Sequence, residues 1–345
     1  MSESASTRPA RPTIYDVARL AGVSPSTVSR MLNGKGQFAP TTHRAVEQAV
    51  EQLRYRPNTI ARSLRTKSTQ TIAFLLPDIP DPFFVSLISG IQQHALQRDY
   101  AILLCVTEGN PEREEHYLNL LRAKQVDGAL VNGLVLPPAR LARFVEEGFP
   151  IVCLDRDIDL PAVPLVQVDN RLGARRATEH LLALGHTRIA HVSGAELDRL
   201  RHSRERLAGY REALEGAGIA ADPRLVAAGD YTEDGGHRAT RALLESGVEL
   251  TAVFAANDLS AIGTLSAITA SGLRVPEDVS VVGFDDIHIS AFTVPPLTTV
   301  HQPAAEIAQR ATELLVALIQ GREVAEQRHV LEPRLVVRAS AAPAR

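Results

Sequence analysis

Within residues 13–53, apolar side chains recur at helical spacing in three short runs, each with its own start or stop signal. Ile14, Val17, Ala18 and Ala21 fall at i, i+3, i+4 and i+7, one face of a helix. Thr13-x-x-Asp16 reads as a capping box that opens it. Gly22 closes it, being tolerant of the left-handed conformation. Ser24 is a good N-cap, and Pro25 stands at the first helical position, where its missing N–H costs nothing. That second helix is expected to run to about Leu32 with Val28, Met31 and Leu32 inward; Asn33-Gly34 and Gly36 end it. A third helix from about Thr41 carries Val46, Ala49, Val50 and Leu53 at the same spacing. Three short helices with one shared apolar face bury a small all-α core with helix–turn–helix spacing.

Ser26, Thr27, Ser29 and Arg30 are left facing outward on the second helix. In a helix–turn–helix that helix lies in the major groove with its early residues on base edges. Arg30 suits a bidentate pair with guanine, while Ser and Thr suit bases or phosphates. A solvated polar face on a generic bundle is the plain alternative, and the charge partition argues against it. Residues 1–70 hold 11 Lys+Arg against 4 Asp+Glu, whereas residues 71–345 hold 26 against 36. A basic head on an acidic body is the electrostatic footprint of phosphate binding. Beyond Pro57, Asn58 can cap a helix from Thr59 to Arg65, which at about two turns is too short to be stable alone. Leu64 between Arg62 and Arg65 has the form of an apolar wedge with basic neighbours, as minor-groove binders use; composition by itself would favour a plain linker.

The run Thr13-Ile14-Tyr15-Asp16-Val17-Ala18, Ala21-Gly22-Val23-Ser24, Thr27-Val28-Ser29-Arg30 and Leu32-Asn33, followed by Tyr55-x-Pro57-Asn58 and Ala61-Arg62-x-Leu64, resembles the lactose/galactose repressor (LacI/GalR) family. The resemblance continues through Gly263, Gly283-Phe284-Asp285-Asp286 and Pro296-Leu297-Thr298-Thr299-Val300 to about Arg338. It implies that Ser26 and Arg30 read the major groove and that Leu64 with Arg65 occupies the minor groove at the operator centre. The DNA-binding candidates are therefore Ser24, Ser26, Thr27, Ser29, Arg30, Asn58, Ala61, Leu64 and Arg65. Two positions depart from relatives. Pro25 replaces a side chain that hydrogen-bonds a base in several of them, and His43 stands where Arg is common.

The body alternates strand-like and helical stretches. Thr71–Leu76, Tyr100–Cys105, Gly128–Val131, Ile151–Leu154, Arg188–Val192, Ala252–Phe254 and Val279–Gly283 read as buried parallel strands. Phe84–Leu96, Leu172–Leu184, Leu207–Ala217 and Ala261–Ser271 read as helices. Such alternation means parallel sheets with helices on both faces. The expected fold class is thus multidomain: an all-α helix–turn–helix head plus an α/β body, which by resemblance is two-lobed and periplasmic-binding-protein-like. Expected boundaries are a tail over 1–12, the head over 13–57, a hinge helix and linker over 58–70, and the body over 71–340. The resemblance splits the body into an N-lobe (about 71–168 and 301–330) and a C-lobe (about 169–300 and 331–340), with crossings near Asp169, Val300 and Glu332.

In open α/β sheets ligands bind beyond the carboxyl ends of the strands. Asp78, Phe83 and Phe84, Asp155 and Arg156, Asp230 and Tyr231, Asn257 and Asp258, and Asp285 and Asp286 all follow strand-like runs. Any one of them can be a helix cap; their recurrence in both halves favours a shared cleft. The resemblance adds Arg206, with His202 and Arg204 just upstream. The effector-binding candidates are Asp78, Phe83, Phe84, Asp155, Arg156, His202, Arg206, Tyr231, Asn257 and Asp285. Carboxylates, an amide and a guanidinium grip vicinal hydroxyls through paired hydrogen bonds, and aromatic faces suit a sugar ring. With aromatics at 4% of the chain, their placement at strand ends is informative.

Enzymatic signatures do not occur: no Gly-x-Gly-x-x-Gly after the first strand, no phosphate loop and no serine elbow. Asp285-Asp286-x-His288 supplies too few ligands for a metal, so neither metal nor cofactor is expected. No run approaches the ~18 apolar residues of a membrane span. Cys105 and Cys153 read as small core residues, and the start of the chain lacks signal-peptide character; a cytoplasmic, nucleoid-associated protein is expected. The resemblance implies a homodimer on a pseudo-palindromic DNA operator, repressing transcription under control of a small-molecule effector, a sugar or sugar derivative. The absence of an apolar heptad tail favours dimer over tetramer. Two alternatives stay open: a corepressor-type regulator that needs ligand to bind DNA, and an architectural DNA-binding protein with no effector.

Overall fold

In the described part of the head, α1 (Ile14–Ala21), α2 (Pro25–Leu32) and α3 (Pro40–Gln52) enclose Val17, Ala18, Val28, Val46 and Ala49. The structure is a computed structural model describing residues 12–32, 36–55, 68–77, 79–123, 125–133, 137–155, 160, 162–194 and 201–345. It divides into two units between Thr69 and Gln70. At the start of α1 the Thr13 N–H donates to Asp16 Oδ2 at 2.9 Å, and the Thr13 hydroxyl donates to the same oxygen at 2.7 Å. Gly22 ends the helix at φ 65°, its N–H on the carbonyls of Ala18 and Arg19. Leu32, expected inward, is 38% exposed. It is the last residue of a two-turn helix, beyond the reach of the core formed by α1 and α3. The expected hinge helix falls within 56–67, outside the described residues.

The second unit holds two six-stranded sheets. The first runs β11-β5-β4-β3-β1-β2, with β1 Thr71–Leu76, β2 Ala101–Val106, β3 Gly128–Asn132, β4 Ile151–Leu154, β5 Leu165–Val168 and β11 Arg328–Leu331, all parallel. The second runs β12-β10-β9-β8-β6-β7, with β6 Ile189–Ser193, β7 Val226–Ala228, β8 Ala252–Ala255, β9 Ser280–Asp285, β10 Thr298–His301 and β12 Arg334–Val336. Only β12 is antiparallel to its neighbour.

Successive side chains of a strand point to opposite faces, and both faces are covered. From β1, Ile72, Phe74 and Leu76 enter one core while Ala73 and Leu75 enter the other. From β8, Val253 and Ala255 go one way, and Ala252 and Phe254 the other. Two-sided burial explains why these strands read as unbroken apolar runs. Cys105 and Cys153 are buried on β2 and β4. Among the described residues no helix is long and apolar enough to cross a membrane.

The chain passes between the sheets at three places. The Asn170–Ala183 helix links β5 to β6; the Ala304–Ile319 helix follows β10 and packs Ile307, Ala308, Ala311 and Leu315 into the first sheet's core; and β11 leads directly to β12. Those strands, β5, β10, β11 and β12, were not among the expected ones. Each carries polar side chains, Gln167 in β5, Thr298, Thr299 and His301 in β10, Arg328 and His329 in β11 and Arg334 in β12, so none presents an unbroken apolar run.

Candidate functional site

On the head, Ser24, Ser26 and Arg30 are exposed and Thr27 is half-buried. Ser24 Oγ accepts the Thr27 N–H at 3.1 Å and lies 2.8 Å from both Ser26 Oγ and Thr27 Oγ1. The cap thus gathers three hydroxyls at the start of α2, where the helix dipole favours an anion. Arg30 extends from the last turn with its guanidinium carbon 5.8 Å from the Phe38 ring centre. Ser29 corrects the sequence reading: only 8% exposed, it does not face outward. A helix packed against two others buries an arc wider than one residue, so Val28 and Ser29 are both enclosed. Asn58, Ala61, Leu64 and Arg65 lie outside the described residues.

In the second unit the candidates come from the carboxyl ends of strands in both sheets. Asp155 follows β4 with φ 47°, its N–H on Val166 O at 3.0 Å. It lines a recess with Phe83, Leu87, Asn132 and Gln302. Phe83 and Phe84 open the Pro82–Leu96 helix, capped by Asp81 Oδ1 on the Phe83 N–H, and meet edge to face at 5.6 Å. From the second sheet, Asp285 ends β9 and Arg206 projects from the Arg201–Gly216 helix. Arg206 is 4% exposed, and its guanidinium carbon sits 3.8 Å over the Phe284 ring centre. Its Nε donates to Asn170 Oδ1 at 2.9 Å, Nη1 to the Ala256 carbonyl, and Nη2 lies 3.8 Å from Asp285 Oδ1.

Tyr231 enters the cluster through strained backbone: Asp230 and Tyr231 have φ 54° and 59°. Its ring lies so close to Gly194 that a Cβ there would be 2.0 Å from it. The Tyr231 hydroxyl is 2.5 Å from Ser203 Oγ, and the ring meets His202 at 5.2 Å. His202 Nδ1 in turn is 4.0 Å from Asp155 Oδ2. Burial, with Arg206 and Arg204 adding to it, lowers His202 to about 3. Burial raises Asp155 to about 6 against the pull of Arg206. His202 is therefore neutral near pH 7, and its approach to Asp155 is not an ion pair. Asp285 is raised well above the ordinary carboxylate range by burial, opposed by Arg206.

Other strand-end residues are occupied elsewhere. Asn257 is 1% exposed; its Oδ1 caps the Asp258–Ala270 helix on the Ser260 N–H and its Nδ2 donates to Tyr231 O at 3.0 Å. It holds Tyr231 from behind. Asp258, also fully buried, accepts from the Ile287 N–H and the Ser290 and Thr299 hydroxyls, and burial pushes it up to about 7. Asp286 binds Arg338 and His301, and Asp230 faces Arg238 at 3.4 Å. Asp78 and Arg156 lie outside the described residues. No cluster of metal-ligating side chains occurs among the described residues.

Sequence reasoning missed Asn170 and Gln302. Asn170 Nδ2 donates to Asp155 Oδ1 at 3.0 Å, and Gln302 Nε2 donates to Asp285 Oδ1 at 2.6 Å. Both follow strands whose runs are interrupted by polar residues, Gln167 in β5 and Thr298 and Thr299 in β10. Those strands were not among the expected ones, so the rule that singled out other strand ends was not applied there. What the cluster offers is a set of acceptors and donors from two sheets around one cleft, with no nucleophile paired to a base.

Comparison with known proteins accords with both units. The model for bacterial regulatory proteins of the lacI family matches residues 13–58, and that for a periplasmic binding protein-like domain matches residues 178–341. The HTH-type transcriptional repressor PurR of Aliivibrio salmonicida is 36% identical over 329 residues, covering 95% of this chain and 98% of PurR. Among solved structures, the transcriptional regulator CelR in complex with cellobiose aligns at TM-score 0.74 and 37% identity, covering 96% of this chain and all of CelR. The lac repressor dimer bound to operator and an anti-inducer aligns at TM-score 0.86 and 31% identity, covering 96% and 100%. A helix–turn–helix head and a two-sheet body thus match these proteins over nearly their whole length: the chain belongs to the LacI family of DNA-binding transcriptional regulators.

Proposed function

We propose that the cluster of Asp155, His202, Arg206, Tyr231 and Asp285 binds a neutral sugar, and that this binding sets the affinity of the head for its operator. The observation that carries this reading is that Asp155 of the first sheet, through Asn170, and Asp285 of the second sheet are gathered around one guanidinium, Arg206. A ligand bonded to both carboxylates bridges the sheets and favours one angle between them; only such differential affinity can shift a conformational equilibrium. Arg206 is already engaged by Asn170, Ala256 and Asp285, which suits hydroxyls better than a phosphate. Cellobiose in the CelR complex supports a sugar as ligand. Phe83, Phe84 and Tyr231 offer apolar faces, Asn257 supports Tyr231, and Asp78 and Arg156 are assigned to the site on sequence alone.

On the DNA side, Ser24, Ser26, Thr27 and Arg30 are assigned to the major groove, and Asn58, Ala61, Leu64 and Arg65 to the minor groove; the buried Ser29 is left out. The lac repressor dimer on operator supports two heads on a pseudo-palindrome. The two lobes are taken as 71–168 with 301–330, and 169–300 with 331–340, joined to the head by a hinge over 58–70. As a DNA-binding regulator the protein acts in the cytoplasm, and we place it on the nucleoid.

The test is selection of genomic fragments by purified protein, with and without a panel of neutral sugars, sugar phosphates and purines. A palindromic site lost on adding one neutral sugar is the expected result. Asp285→Ala should then keep the ligand-free operator affinity within about threefold while losing the response. A response to sugar phosphates alone, or an undiminished response in Asp285→Ala, would refute the assignment. Enrichment only in the presence of ligand would make the effector a corepressor.

A further inference from the structure

Two buried amides stand where the chain passes between the sheets, and both hold cleft residues, Asn170 also donating to the Val168 carbonyl at 3.3 Å. Asn170, fully buried, starts the helix that carries the chain from β5 to β6. Its Nδ2 donates to Asp155 Oδ1 and its Oδ1 accepts from Arg206 Nε, so one side chain joins a carboxylate of the first sheet to a guanidinium of the second. Gln302, 4% exposed, follows β10 on the return path and donates to Asp285 Oδ1. Arg206 Nη2 and Asp285 Oδ1, 3.8 Å apart, close the gap between these pairs.

We propose that Asp155, Asn170, Arg206, Asp285 and Gln302 form one continuous clasp, in which Asn170 and Gln302 are positioning residues that fasten the cleft to two of the three crossings. The proposal rests on reading the cleft as the effector site. Buried polar groups of this kind are costly to leave unpaired, so the clasp opens or closes as a unit. A polyol that bonds Asp155, Arg206 and Asp285 takes up the same lone pairs and N–H groups the amides use. Occupancy is thereby felt at residues 169–176 and 302–308, where the backbone changes sheet. Between the sheets the crossing backbone is tied at its start by the Asp169 N–H on Leu331 O at 3.0 Å and by the Gln302 N–H on Asp285 O at 3.4 Å, and continues into the two helices.

Hydrogen exchange of the full-length, ligand-free protein tests this, because no effector need be known. Asn170→Ala should speed exchange at least tenfold in 302–308 as well as in 169–176. Gln302→Met, which keeps length and removes the donor, should do the reverse, speeding 169–176 as well as its own segment. Amides of β1 should be unchanged in both. Acceleration confined to the substituted crossing would overturn the clasp, as would uniform acceleration that includes β1, the mark of a merely structural role. Should Asn170→Ala fail to fold, Gln302→Met decides alone, read at 169–176. A sugar panel that finds no ligand would count against the effector reading and leave this result standing.

Discussion

Asp155 and His202 approach within 4.0 Å, and burial drives their proton affinities in opposite directions. A carboxyl that rises from 3.8 to about 6 on folding holds its proton more tightly in the folded state, so it costs stability as pH climbs from about 4 to 6. A histidine lowered from 6.5 to about 3 does the reverse, costing stability as pH falls below 6.5. In the wild type these slopes largely offset each other. Asp155→Asn removes one of them. Relative to wild type, this variant should gain stability as pH rises from 4 to 7, by about 1–3 kcal/mol after allowing for the exposed part of the side chain. Thermal unfolding at pH 4.5 and 7 measures it, and melting temperatures that shift in parallel would show that Asp155 keeps an ordinary pKa.

At the level of single elements, legibility followed unbroken apolar runs rather than burial itself, since β5 and β10 are buried yet were missed. β1 and β4 were expected at the bounds found, because strands covered on both faces show as unbroken apolar runs. Four strands of three or four residues gave no run, and with β5 and β10 went the residues behind them, Asn170 and Gln302. The α2 helix was placed by its cap, yet its buried arc was drawn too narrow, so Ser29 was read as exposed and Leu32 as enclosed. Arg30 stands clear of that arc, with Phe38 as its only ring neighbour among the described residues. Arg30→Ala should therefore leave the head folded and relax preference at one operator base pair by about 1–3 kcal/mol. Binding selections on a randomised operator would read this directly. A uniform loss across all sequences would instead make Arg30 a phosphate contact.

Across the whole molecule, the charge partition and the strand–helix alternation were both plain in the sequence. Together they pointed to a basic, DNA-binding head on an α/β body of parallel sheets, whose two lobes were implied by resemblance. The threefold passage between sheets was implied only by resemblance, because a crossing leaves no local pattern: β10 and β11 are successive strands on either side of the Ala304–Ile319 helix yet lie in different sheets. The same partition has a thermodynamic consequence. Operator binding releases counterions from each phosphate the basic head neutralises, about 0.9 per contact, so affinity should fall by on the order of a hundredfold or more between 50 and 200 mM salt. In the proposed site the sugar would bind among buried groups where Arg206 already faces Asp285, exchanging hydroxyls for hydroxyls. Its dissociation constant should change less than twofold over the same range. Titrations of one protein preparation with operator and with the sugar from the selection would compare the two. Equal salt dependence would mean that the ligand is itself an anion held by unbalanced cations, and the neutral-sugar reading of the cleft would have to be given up.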